Sequence, residues 1–364
     1  MRRGASGVDR PIPLIVKYGV ATRIDDLFDR KAHTGKIRNV RGFVRYTRLG
    51  PSGPVISGVG LGSLALTGAY GAVGDTDADR LIRSALDAGV TFLDTAGFYA
   101  AGHVESLIGR AVARRGEGVV VATRGGVRRH GPRGTVESDG RPGSLERDCD
   151  ASLRRLRTGR IGLFYLDCQD ERVPVESSVE RLSELVAAGK IGHLGLTGGT
   201  SQQVRRAHAV HPITAIAVEF SLWGRRPSAV LLDTVRELGI AVVAARPLGR
   251  GFLTGRVGPR PAFGPGDWRL ADPRFDPERH EACAPQLKTL EAMAARLDVG
   301  AGRLALSWLL AQGEHVVPVP STRDPVHLEM NLAASSVELP ADTRDALSGL
   351  FPACPPGQSS PPLL

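Results

Sequence analysis

Four side chains at the ends of apolar runs have the chemistry for acid–base or ion-pair work. Asp94 closes the run Thr91-Phe-Leu-Asp94, and Tyr99 follows five residues later. Arg124 follows Val119-Val-Val-Ala-Thr123, and Asp167 follows Ile161-Gly-Leu-Phe-Tyr-Leu166. Arginine is a planar fork, better suited to gripping carboxylates than to acting as a point charge. Asp94 and Asp167 are the carboxylates within reach, so the expected arrangement is an Asp94-Arg124-Asp167 cluster with Tyr99 at its edge. Held beside Arg124, Asp167 stays ionised and can act as a base; shielded from it, its pKa rises and it can act as an acid. Simple neutralisation of Arg124 is the equal alternative.

Arg246, after the run ending at Ala245, adds a second guanidinium. Two arginines facing one mouth suit an anionic substrate group, which the fork pairs bidentately. A salt bridge to Glu219 is the even alternative. Trp223, with Phe263, Trp268 and Phe275, either lines a substrate pocket or covers the body. His208 and His211 have metal-type spacing but no third ligand, so no metal is expected. Cys168 reads as a buried inert thiol rather than a nucleophile. With Cys149, Cys283 and Cys354 it shows no paired spacing, which fits isolated thiols in a reducing, cytoplasmic compartment.

The elements that must position these residues alternate along the chain. Runs at 90–93, 119–122, 161–166, 191–196, 213–218, 240–245 and 316–319 read as strands, with Val55 to Gly62 as the first. Helical-period segments lie between them. Thr76 is placed to cap the first and Gly89 to stop it. Val179, Leu182, Leu185 and Val186 form one apolar stripe on another. Eight strands with crossover helices can close into a barrel. An open doubly wound sheet competes, but Gly60-Leu-Gly62 is only a fragment of the dinucleotide-binding glycine pattern. Two long connections, His130 to Gly143 and Thr254 to His280, are expected as lids, binding loops or disordered segments at the active end.

The 364 residues can bury one large core as a single domain. Residues 1–48 hold 12 Lys+Arg against 4 Asp+Glu, and the remainder holds 35 against 34. A basic arm on a neutral body reads as a solvated extension, so no nucleic-acid partner is expected. The run Ile12-Pro-Leu-Ile-Val16 is too short and too broken to span a bilayer.

The segment Thr91-Phe-Leu-Asp-Thr-Ala-Gly-Phe-Tyr99, together with Pro247-Leu-Gly-Arg-Gly-Phe-Leu-Thr-Gly255, resembles the aldo/keto reductases. The resemblance covers about residues 44–349. It leaves a basic N-terminal extension, 1–43, and a proline-rich tail, 350–364, outside. It implies a single-domain (β/α)8 barrel that moves hydride between NADP(H) and a carbonyl or alcohol. Asp94 and Tyr99 match two of the family's four catalytic residues. Arg124 stands where the family has lysine and Asp167 where it has histidine. In the family the tyrosine gives its proton to the carbonyl oxygen, the lysine supports the loss of that proton, and the aspartate holds the lysine. A histidine donates to that oxygen; an ionised Asp167 accepts only and would repel a developing oxyanion.

The resemblance also implies cofactor contacts. Gly62 is among the expected contacts, and Thr197 stands at the nicotinamide end, where Ala217 and Ala245 replace a glutamine and the ring-stacking tyrosine. The phosphate end is better matched. Pro247, Leu248, Gly249, Arg250 and Gly251 form a turn whose backbone amides can meet a pyrophosphate, and Ser321, Thr322 and Arg323 open the helix carrying Asn331. His327 stands where many members have arginine.

The first functional reading is thus an NADP(H)-linked oxidoreductase with an altered centre and a small-molecule substrate. The second is a non-redox lyase, isomerase or cyclase using Tyr99 and Asp167 as acid and base on an anionic substrate. The third is a non-catalytic nucleotide-sensing or scaffold protein.

Overall fold

The computed structural model describes residues 44–115, 118–129, 136–168, 170–223, 227–258 and 263–351, and the backbone of 15–17 and 20–22. Its eight principal strands are β1 (Leu61–Gly62), β2 (Phe92–Asp94), β3 (Val120–Gly125), β4 (Ile161–Asp167), β5 (Ile191–Thr197), β6 (Ile213–Glu219), β7 (Ala241–Ala245) and β8 (Val316–Pro318). They pair in chain order and all in parallel. The Gly60 amide donates to Pro318 O and the Gly62 amide to Pro320 O, each at 3.0 Å, so the last strand returns to the first. A (β/α)8 barrel results.

The crossovers are α1 (Asp75–Asp87), α2 (His103–Ala113), α3 (Pro142–Leu156), α4 (Val175–Ala187), α5 (Ser201–Val210) and α6 (Ala229–Glu237). Between β7 and β8 come α7 (Pro277–Ala282), α8 (Ala284–Arg296) and α9 (Ala301–Leu310), and after β8 come α10 (Pro325–Leu332) and α11 (Ala341–Leu350). The α4 stripe buries Val179, Leu182 and Leu185 as its period requires. Gly89, at φ 95°, turns the chain from α1 into β2. Thr76 does not cap α1: Gly74 occupies the cap position and Thr76 lies inside the first turn. A reciprocal capping box closes α5, where Thr200 and Gln203 exchange hydrogen bonds.

The run 55–62 is not one strand. Val55–Ser57 pairs antiparallel with Tyr46–Arg48, and only Leu61–Gly62 joins the barrel. The partner changes across the glycines: the Gly58 amide still reaches Arg45 O, whereas that of Gly60 reaches β8. The hairpin plugs the N-terminal end of the barrel, where Leu49 and Ile56 join Phe92, Leu163, Val243 and Val317 in the inner core. Inward residues alternate along each strand. The same alternation carried upward brings Asp94, Arg124, Asp167, Thr197, Glu219 and Ala245 to the C-terminal rim.

Both long connections leave that rim. Val127–Arg129 and Val136–Ser138 pair as an antiparallel arm after β3, with 130–135 outside the described residues. After β7 the chain makes short turns at Gly249–Thr254, Trp268–Ala271 and Pro273–Phe275. In the basic extension Ile15–Lys17 pairs antiparallel with Val20–Thr22. The rest of it, and the tail from 352 on, lie outside the described residues. Among the described residues no helix is long and apolar enough to cross a membrane.

Candidate active site

Asp94 and Arg124 form a buried ion pair, Oδ1 to Nη2 at 2.6 Å. Arg124 Nε also donates to Thr95 O at 3.3 Å. Burial raises the Asp94 pKa against the pull of Arg124. For Arg124, burial disfavours the charge, but Asp94 and the neighbouring phenols outweigh it. Tyr99 stands beside the pair, edge-on to Phe98. Its pKa is raised, because burial outweighs the support of Arg124 and Arg246. A phenol held this way carries its proton throughout the neutral range, which suits a donor.

The turn that presents Tyr99 is strained. Ala100 and Ala101 have φ 47° and 53°, and Gly102 follows at 88°. Glu105, fully buried, fixes this turn to β3: one oxygen accepts from Thr123 at 2.7 Å and the other pairs with Arg155 at 2.5 Å. A left-handed alanine costs roughly 1–2 kcal/mol that glycine escapes, so Ala100→Gly is expected to stabilise the protein. After the entropy glycine gains in the unfolded chain, the net is about 1 kcal/mol, read as a Tm rise of roughly 2–4 °C.

A cavity of about 370 Å³ opens over Asp94, Tyr99 and Arg124. Its wall holds Gly62, Ala245, Arg246, Pro247, Leu248, Arg250, Gly251, Ser321, Thr322, Arg323, His327 and Asn331, so most of the expected cofactor residues share one space. It also holds Tyr70, Arg256, Arg269 and Arg303, which the sequence reading did not single out. Among the described residues seven arginines therefore face it against one carboxylate, Asp94.

Several expectations need correction. Asp167 is buried and does not line the cavity; it accepts from the Ser138 hydroxyl at 3.3 Å, on the arm after β3. Among the described residues the ion pair of Arg124 is with Asp94, not Asp167. Thr197 lies outside the cavity wall and its buried hydroxyl has no hydrogen-bond partner. Trp223 is not in the wall of this cavity: it stacks on Phe252 at 3.9 Å, meets Phe275 edge-on and donates to Cys283. Gly249 backs onto that indole rather than the cavity, because a Cβ there would lie 2.8 Å from it. The Gly249 and Gly251 amides are not available to a pyrophosphate, since they donate to Arg246 O and Leu248 O. What that turn offers is the Arg250 side chain.

Arg246 lines the cavity and also makes the expected ion pair. It meets Glu219 at 3.0 Å with both side chains at most 6% exposed. Glu219 also holds Arg274 at 2.5 Å, Arg274 holds Asp272 at 2.7 Å, and Asp272 holds Arg250 at 3.1 Å. The turn 272–275 is thereby tied to the two cavity arginines at positive φ, Arg246 and Arg250. His327 is in contact with Arg256, which brings a guanidinium to the place where His327 stands. His208 accepts the Ile213 amide, and Cys168 is buried with its pKa pushed up. Cys149, Cys168 and Cys283 are free thiols.

The sequence matches the model of the aldo/keto reductase family over residues 58–350. The chain belongs to the aldo/keto reductase family. It is 36% identical over 317 residues to Probable aldo-keto reductase 1 of Glycine max, covering 86% of this chain and 90% of that one. It is 36% identical over 296 residues to aldo-keto reductase str7 of Strobilurus tenacellus, with 78% and 86% covered. Among solved structures it resembles a glycerol dehydrogenase from Gluconobacter oxydans, with TM-score 0.77, 28% identity and coverage of 84% and 94%. The holo form of an aldo-keto reductase from Bacillus halodurans follows at TM-score 0.71 and 25% identity, covering 85% and 97%. Membership of the family supports an oxidoreductase enzyme.

Proposed function

We propose that this chain is an NADP(H)-linked oxidoreductase for a small carbonyl or alcohol substrate, with Tyr99 as proton donor and Arg124 in the supporting role. The observation that carries the reading is the charge of the cavity wall. Among the described residues Arg256, Arg303 and Arg323 have no carboxylate ion pair, and the buried Nε of Arg303 has no hydrogen-bond partner. Guanidiniums left uncompensated in a wall suit phosphate oxygens. NADP(H) brings three phosphates, so the residues present fit it. Arg256, Arg303 and Arg323, with Ser321, Thr322 and Asn331, would hold the 2′-phosphate end, and Arg250 the pyrophosphate.

When bound, the nicotinamide supplies or accepts the hydride at the substrate carbon. Tyr99 transfers a proton at the substrate oxygen, and the Arg124 charge lowers the cost of the phenolate that is left. Asp94 fixes the guanidinium in place. Asp167 contributes no group to this cavity, so the non-redox reading lacks the second half of its acid–base pair.

The experiment is a comparison of three ligands. NADPH should bind about 10–100-fold tighter than NADH, as one charged hydrogen bond of about 1.5–3 kcal/mol requires. The fragment 2′-phospho-ADP-ribose should bind within about tenfold of NADPH, because so few groups remain at the nicotinamide end. Equal affinity for NADH, with no competition by the fragment, would contradict the assignment.

A further inference from the structure

Tyr165 is a buried phenol for which the reaction described above has no use. It points into the barrel from β4 and is paired across the sheet with Arg124. Its ring lies under the Arg124 guanidinium, 5.3 Å from centroid to Cζ. The ring fits because β5 has a glycine opposite: a Cβ at Gly195 would lie 2.5 Å from it. Asp94 gives one oxygen to Arg124 at 2.6 Å. Its other oxygen, Oδ2, and the Tyr165 hydroxyl are both buried with no hydrogen-bond partner among the described residues. Two such atoms in one interior are costly unless they serve each other.

We propose that Tyr165 is a positioning residue: its hydroxyl serves Asp94 Oδ2 while its ring carries the Arg124 guanidinium, so the ion pair is clamped on two sides beside Tyr99. The electrostatics agree. Against burial, which raises it, Arg124 and then the Tyr165 hydroxyl draw the Asp94 pKa down. Burial, then Asp94, holds the Tyr165 pKa well above the phenol range, so the phenol remains a neutral donor at any working pH. The groups facing the pair are Arg124 on β3, Tyr165 on β4 and Tyr99 beyond β2, with Asp167 acting on Arg124. The clamp stands on this geometry; its value to catalysis rests on Tyr99 and Arg124 being the reacting pair.

The test needs neither cofactor nor substrate, so failure of the NADP(H) reading leaves it intact. Tyr165→Phe is made in the parent and in Asp94→Asn, and melting temperatures are followed from acid to neutral pH. Loss of a donor to the carboxylate raises the Asp94 pKa in the folded protein. A raised carboxyl favours the fold at low pH and loses that contribution as pH rises through its folded pKa. The gap between parent and Tyr165→Phe should therefore widen with pH, by roughly 2–4 °C, and stay constant in the Asp94→Asn background. In ¹³C-labelled protein the Asp94 carboxyl midpoint should move up in Tyr165→Phe. A gap independent of pH, equal widening in Asp94→Asn, or an unmoved carboxyl midpoint overturns the proposal.

Discussion

Tyr99→Phe should lower turnover on the native substrate by about 10²–10⁴, the range a positioned proton donor contributes. The melting temperature should hardly change, because the Tyr99 hydroxyl closes no ion pair and its ring contact with Phe98 survives in phenylalanine. The raised phenol pKa gives the effect its direction. In the proposed mechanism Tyr99 starts protonated, as burial favours, and the guanidinium beside it supports the loss of that proton. Steady-state kinetics of the two proteins decide the matter. A variant within a few-fold of the parent removes Tyr99 from the mechanism.

Arg246→Ser should cost stability rather than affinity. Arg246 and Glu219 are both buried, and breaking such a pair costs roughly 3–5 kcal/mol when it leaves the partner uncompensated. Arg274 still holds Glu219, so the lower end applies, a Tm fall of roughly 6–12 °C. Glu219→Ala should cost more, because it leaves two guanidiniums facing each other. The loss should follow pH. Burial raises the Glu219 pKa, but Arg246 and Arg274 outweigh it and hold the carboxyl below its usual range. A depressed carboxyl contributes stability that is complete above its unfolded pKa of about 4.3 and is lost as pH falls through the folded value. The Tm gap between parent and Arg246→Ser should thus be full at neutral pH and shrink in acid. An unchanged Tm with a strongly raised KM would instead show that Arg246 grips a substrate anion.

Most of the barrel was legible because its signals are local. Apolar runs set the strands, and the acids or base closing four of them, Asp94, Arg124, Asp167 and Glu219, marked the rim. The misreading at 55–62 came from a partner change, which two glycines allow but no run of residues announces. Asp167 was placed with Arg124 on rim position alone. Its separation from the cavity depends on the arm at 127–138 bringing Ser138 to it, a contact made at a distance of 29 residues. The Gly249 and Gly251 amides were misjudged because a glycine-rich turn can spend its donors on itself. Arg256, Arg269 and Arg303 come from the loop after β7 and the start of α9, where an arginine carries no mark of which way it faces. Tyr165 was within reach, since it sits two residues before Asp167 on the same inward face.

Titration of the purified protein with NADPH, followed through its tryptophan fluorescence, tests the central claim most directly. Saturable binding at one site per chain is expected, weakened about 10–100-fold by Arg323→Ala, since a charged contact to phosphate is worth about 1.5–3 kcal/mol. No saturable binding by the folded protein, or binding indifferent to Arg323, would contradict the assignment of this cavity to NADP(H).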